Sequence, residues 1–194
     1  MFESIISLEN LVRAWRVFRR GKRDKSDVQS FERNLEDNLF ALHDELRVKQ
    51  YQHGQYERFH LFDPKHRIIH KAEVRDRVVH HAIYRILAPV FEQSFIFDSY
   101  SCRLDKGTHA GVDRLAQFAR KVSKNYTRTC FALKCDIRKF FDSIDHRILM
   151  QMLSRRISDA NTLWLLREII ESYSSRERES NWASDWKSHL SIVR

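Results

Sequence analysis

The stretch Phe131–Leu149, FALKCDIRKFFDSIDHRIL, decides how the rest of the chain is read. An apolar, strand-like run from Phe131 stops at a carboxylate, Asp136. Beyond Ile137 come two cations, Arg138 and Lys139, then adjacent aromatics, Phe140 and Phe141, then two more carboxylates, Asp142 and Asp145. A carboxylate at the end of a buried strand suits a hard divalent cation, which takes oxygen ligands and often carries phosphates. A lone aspartate there is more often simply solvated, so the weight rests on the whole string DIRKFFDSIDH. Asp145 reads as the cap of a helix through Arg155 rather than as a metal ligand. Phe140 reads as core, because adjacent residues on a turning segment point to different sides.

The composition sets the frame around this stretch. At 194 residues the chain is one domain or a large part of one. Lys and Arg total 35 against 26 Asp and Glu, a net charge of +9 spread evenly along the chain. That suits a folded surface that meets phosphate; a basic protein with no nucleic-acid partner is the competing reading. Cys102, Cys130 and Cys135 form no CxxC pair, which points to reduced, partly buried thiols and a cytoplasmic protein. No apolar run is long enough to cross a bilayer, and Met1–Ser7 lacks the pattern of a signal peptide. Nothing resembles HExxH, which argues against zinc.

Upstream, helical spacing places Leu8, Leu11, Val12, Trp15 and Phe18 on one face, ended by Gly21 and the basic run Lys22–Lys25. Ser26 and Gln29 form a capping box for a second helix, whose stripe is Val28, Phe31, Leu35, Leu39, Leu42 and Leu46. A coiled coil is the rival reading, over too few heptads. ERFHLFDPKHRIIHKA, residues 57–72, reads as a hairpin turning at Asp63-Pro64-Lys65. Arg75-Asp76-Arg77 opens a helix that Pro89 ends or kinks, with Val78, Val79, Ala82, Ile83, Ile86 and Leu87 inward and Arg77 ion-paired to Asp76. Phe95, Phe97 and Tyr100 read as core aromatics or as stacking partners for bases. Thr108 reads as the cap of a helix over 110–124, with Gly107 supplying a backbone angle that other residues resist. A last helix spans 158–173.

DIRKFFDSIDH resembles the first catalytic motif of reverse transcriptases of the bacterial group II intron, retron and diversity-generating retroelement type. DPKHRIIHKAEVRDRVVHHAI resembles the same family's fingers motif, with His66 where the family usually has proline. SFIFDSYSCRLDKGTHAGVDRL resembles the next block, which cradles template and nucleotide. The blocks follow the family's order across Leu8 to about Ser175. The resemblance implies an α+β fold: the fingers and first half of the palm of a right-hand polymerase, helix-rich with a small antiparallel sheet. It implies Asp136 and the Ile137 carbonyl as ligands for Mg²⁺ in a two-metal site, and Phe141 as the gate against a 2′-hydroxyl. Lys65, Arg67 and Arg75 would lie on nucleotide phosphates, and Arg103 and Lys106 on nucleic acid. Partners would be an RNA template, a DNA primer and a deoxynucleoside triphosphate, with no membrane.

The family's second catalytic strand, Tyr-x-Asp-Asp, has no counterpart, since the chain contains no Asp-Asp pair. The expected domains are therefore fingers and partial palm over 1–175, truncated before that strand, and a non-homologous tail over 176–194. The expected activity is RNA-directed DNA synthesis by the family, with this chain inactive. A non-catalytic RNA-binding module and a fragment without a stable fold are the alternatives. The tail reads as a frameshift product, from gene decay or a sequencing error. Codons can be chosen for Asn181–Arg194 such that dropping the first base yields Ile-Gly-Leu-Pro-Ile-Gly-Asn-Leu-Thr-Ser-Gln-Leu-Phe, the family's next motif. The single codon of Trp182 and of Trp186 constrains that choice. On this account the tail is loosely placed, its tryptophans share no apolar face, and the palm exposes a bare strand edge. The nucleotide sequence across codons 176–194 is expected to carry the Ile-Gly-Leu-Pro-Ile-Gly string in the alternative frame, with Tyr-x-Asp-Asp downstream. Its absence from every frame would refute the account.

Overall fold

Apolar residues three and four apart bury one face of a helix, and α2 (Leu8–Phe18) buries Leu11, Ala14, Trp15 and Phe18 on this rule. The computed structural model describes residues 1–63, 66–137, 140–173 and 191–193 of the chain. Contacts divide them into one unit of Met1–Phe91 with His146–Ser174 and another of Glu92–Asp145 with Ser175–Arg194.

In the first unit α1 (Phe2–Ile6) and α2 pack with α3 (Ser26–Arg33), α4 (Leu35–Arg47) and α5 (Val74–Glu92). Helices α8 (His146–Ser154) and α9 (Ala160–Ser172) complete this unit. Its core holds Ile5, Ile6, Val28, Leu42, Leu46, Val78, Val79, Ala82, Ile157 and Leu165. Buried Asn10 serves three elements at once. Its Nδ2 donates to the Ile5 carbonyl at 2.9 Å and the Ala82 carbonyl at 3.1 Å, and its Oδ1 accepts from Arg85 Nε at 3.1 Å. Asp159 caps α9 by accepting from the amides of Asn161 and Thr162, and it also accepts from Phe2 N at 2.6 Å. That last bond holds the Asp159 carboxyl at about 2.

Several local signals read differently in space. The expected helix from Ser26 is two helices, broken at Asn34, whose φ of −119° and ψ of 43° are not helical. Ser26 is the first helical residue, and the Gln29 side chain donates to the Arg23 carbonyl instead of closing a capping box. Pro89 does not end α5, which continues to Glu92. The hairpin forms as read, β1 (Glu57–Phe62) against β2 (His66–Lys71), with Phe62 opposite His66 and Glu57 opposite Lys71.

The second unit contains α6 (Thr108–Val122), β3 (Ala132–Lys134), α7 (Phe140–Ser143) and β4 (Ser191–Val193). Gly107, not Thr108, occupies the cap position of α6, and its φ of −87° is open to any residue. Helix α6 carries an exposed apolar stripe: Val112, Leu115, Phe118 and Val122. Strand β3 ends two residues before Asp136 and is exposed rather than buried. Of the tail that was expected to be loose, only 191–193 are described, and Ile192 and Val193 pair antiparallel with Leu133 and Ala132. Trp182 and Trp186 lie outside the described residues.

A polar knot sits inside the first unit. His53 and His80 stack with centroids 5.2 Å apart, and neither Nε2 has a hydrogen-bond partner. Burial, reinforced by His53, pushes the His80 imidazole from 6.5 down to about 4. The unfolded chain therefore takes this proton at a higher pH than the folded one. The neutral ring's contribution is complete above pH 6.5 and is lost as pH falls toward 4, a change on the order of 3 kcal/mol. Urea unfolding at stepped pH is expected to show this loss, and His80→Phe, which keeps a ring in the stack, to flatten that part of the profile. An equally steep decline in the variant would assign the loss to other groups.

Candidate nucleic-acid interface

The residues picked from the sequence fall into two sets, one in each unit. In the first, Lys65 lies outside the described residues. Arg67 stands exposed on β2, opposite Leu61, with no ion pair among the described residues. Arg75 is committed elsewhere. Its guanidinium holds both carboxylate oxygens of Glu45 and lies over the Tyr51 ring at 5.4 Å. It borders a cleft of about 740 Å³ that is also lined by Asp27, Asn34, Glu45, Tyr56 and Lys71.

The cleft is a poor phosphate site because its cations are already neutralised. Lys71 Nζ lies 3.0 Å from Asp27 and 3.1 Å from Glu57, and these hydrogen bonds raise its pKa. Asp27 also takes Arg77 at 2.6 Å, so Arg77 pairs with Asp27 and not with its neighbour Asp76. Burial pushes the Asp27 carboxyl up, but the bonds from Lys71 and Arg77 outweigh it and leave the pKa lowered. Asp27, Glu45, Glu57 and Glu73 against Lys71 and Arg75 give the lining a negative balance, the wrong sign for a triphosphate. Arg58 and Arg67 are exposed on the hairpin and have no ion pair among the described residues.

Asp76, with 0% exposure, fixes where the hairpin starts and ends. It lies in the first turn of α5, where the helix dipole favours a carboxylate. Its Oδ1 accepts from the Tyr51 hydroxyl at 2.8 Å and its Oδ2 from the Gly54 amide at 3.0 Å. Burial, then the Asp76 charge, push the Tyr51 hydroxyl well above its ordinary pKa, so it stays a donor. A side chain at Gly54 would meet Glu73 Cδ at 2.9 Å and Asp76 Oδ2 at 3.0 Å, so glycine keeps the approach to the buried carboxylate uncrowded.

In the second unit, Arg103 and Lys106 organise their own loop. Arg103 donates to Glu92 Oε1 at 2.8 Å and to the carbonyls of Ile96 at 2.8 Å and Ser99 at 3.1 Å. Lys106 donates to the Phe97 carbonyl at 2.8 Å and lies 3.4 Å from the Phe97 ring centre. Cys102 and Asp105 beside them hold left-handed φ of 56° and 57°, a strain of about 1 kcal/mol each. Phe95 and Phe97 are exposed rather than core, while Arg114, missed in the sequence, lies over Phe97 and Phe118 and bonds Asp98 at 2.9 Å. The loop thus interleaves Arg103, Lys106 and Arg114 with Phe95, Phe97 and Phe118, each cation also held by a carbonyl or carboxylate.

Asp136 and Ile137 are exposed beyond β3, and Phe141 is 79% exposed in α7 with its ring against Phe140. Phe140, expected in the core, is itself 48% exposed. Among the described residues no group of three His, Cys, Asp or Glu side chains stands close enough to hold a metal ion. A two-metal cage needs carboxylates converging from more than one segment, so these residues do not fit it. The cysteines are free, with Cys102 and Cys135 exposed. Among the described residues no helix is long and apolar enough to cross a membrane.

The split between committed and free cations is measurable. Arg75→Ala is expected to cost about 1–3 kcal/mol in urea unfolding, because it strips Glu45 of its partner and uncovers Tyr51. Arg67→Ala is expected to stay within about 0.5 kcal/mol of the parent. Equal effects would show that the division is wrong.

Among known proteins, the chain is 29% identical to Protein YkfC of Escherichia coli K12 over 136 residues, 69% of this chain and 35% of that protein. It is 27% identical to nuclear intron maturase 1, mitochondrial, of Arabidopsis thaliana over 112 residues, 57% of this chain and 15% of that one. No family model matches. The chain thus spans about a third of the first relative and less of the second, and over more than half its own length it is similar to an intron maturase.

Proposed function

We propose that the chain derives from an RNA-directed DNA polymerase of a bacterial retroelement, comprising the fingers and the first part of the palm, and that it holds RNA without polymerising on it. The similarity to an intron maturase carries the reading, since that protein's name ties it to an intron. The order of the three sequence blocks supports it, as does the net charge of +9. Arg58 and Arg67 on an exposed hairpin and the basic-aromatic loop around Phe97 supply the contacts such a role needs.

Mg²⁺, in the parent chemistry, would supply charge neutralisation for phosphoryl transfer, with Asp136 and the Ile137 carbonyl as the residues expected to hold it. Asp136 alone among the expected carboxylate ligands is present here, and no catalytic step is assigned to it. The second reading, a non-catalytic RNA-binding module, differs only in whether polymerase ancestry still matters to the work done. The exposed, unpaired hairpin arginines favour it for this chain.

Binding to single-stranded RNA is expected to weaken steeply with salt. About five phosphate contacts give a slope near −3.5 in log K against log salt. Fluorescence anisotropy across a salt series measures it, and a flat response would remove RNA as the partner. In parallel, primer extension on an RNA template with Mg²⁺ is expected to yield no product. Extension that Asp136→Ala abolishes would overturn the non-catalytic assignment.

A further inference from the structure

Strand alternation sorts the hairpin's side chains into two faces. Arg67 and the Glu57–Lys71 pair share one face with Phe59, Leu61 and Ile69. The opposite face presents Arg58, His60 and Phe62 across from His70, Ile68 and His66. This second face contains no acidic residue, and apart from Arg58 none of its side chains has been given a role so far.

Three of its rings form two stacked layers, the paired imidazoles of His60 and His66 below and the Phe62 ring above. His60 Nδ1 and His66 Nε2 are 2.7 Å apart, with ring planes 2° apart and centroids at 5.0 Å. These values place the imidazoles edge to edge in one plane, joined by an N–H···N bond. The Phe62 ring lies over His66 with centroids 4.6 Å apart and planes at 15°. Phe62 is nevertheless 74% exposed, and Ile68 on the next rung is exposed as well. Such a cluster contributes little to folding, because its apolar area remains in water. Aligned, exposed rings beside a cation are the arrangement that accepts nucleobases.

We propose that this face is a stacking ledge for unpaired bases of RNA, with Phe62 and the His60–His66 plate as its floor and Arg58 meeting a flanking phosphate. Paired bases are stacked within their own helix, so the ledge selects single strands. The inference rests on RNA being the partner, and it adds which face is used and by what force.

The test uses the full chain and a labelled single-stranded RNA of about twelve nucleotides, beside the same strand with abasic sites at its centre. The parent protein is expected to prefer the intact strand by about tenfold. Phe62→Ala/His66→Ala should lose about 5- to 30-fold in affinity together with that preference, while the salt slope stays unchanged. Phe62→Leu, which keeps apolar bulk, should lose the preference too and guards against a misfolded double variant. Arg58→Ala should instead shallow the salt slope by about 0.7. If the parent binds RNA but treats the abasic strand alike, or the ring variants bind like the parent, the ledge is overturned and RNA binding stands. If the parent binds neither strand, both the ledge and the RNA assignment fall.

Discussion

A single buried carboxylate ties together the first unit's working parts. Asp76 accepts the Tyr51 hydroxyl and the Gly54 amide, so the segment that leads into β1 is bound to the helix that follows β2. Both ends of the hairpin are gripped at one point, and its strands extend from there with exposed faces. Removing a hydrogen-bonded buried charge leaves its partners unsatisfied, which costs far more than any single surface contact. The aspartate therefore acts on the hairpin without touching what the hairpin touches. Its neighbour Arg75, held to Glu45 and lying over Tyr51, is a brace in the same anchorage.

Charge alone says little about which cations are available. Arg75, Arg103 and Lys106 looked like phosphate ligands because their sequence neighbourhood contained cations and a glycine. In space each has a carboxylate or carbonyl partner contributed by a residue that sequence spacing could not foretell. Glu45 is thirty positions from Arg75, and Glu92 eleven from Arg103. The net charge of +9 overstates what is available to a polyanion. Cations that still lack partners, such as Arg58 and Arg67, matter more than the total.

Periodicity served well where packing enforces it. The inward faces of α2 and α5 were legible, because a one-residue error there would expose an entire apolar face, and the pairing of the hairpin's strands was legible from their β-like composition; its Pro64-Lys65 turn lies outside the described residues. Terminal signals were weaker. Ser26 and Thr108 have capping chemistry, yet each helix starts one residue earlier in geometry than the caps required, since neighbouring contacts set the backbone. Pro89 sits within α5 because a helix can lose one N–H bond near its end without unravelling. Around Asp136 the motif could be read but the site could not. A metal cage is a convergence of segments, whereas the sequence string shows only one of them.

The exposed stripe on α6 has a practical consequence. Val112, Leu115, Phe118 and Val122 offer water an apolar ridge, and the same helix ends in Arg120 and Lys121. Salting-out ions strengthen contacts between such ridges while screening the attraction of basic residues for a polyanion. A preparation kept in concentrated sulfate would thus be driven toward self-association, whereas one kept in dilute buffer leaves its basic residues unscreened. Chloride at intermediate strength, which screens charge with little salting-out, is the window in which a clean and dispersed sample is attainable.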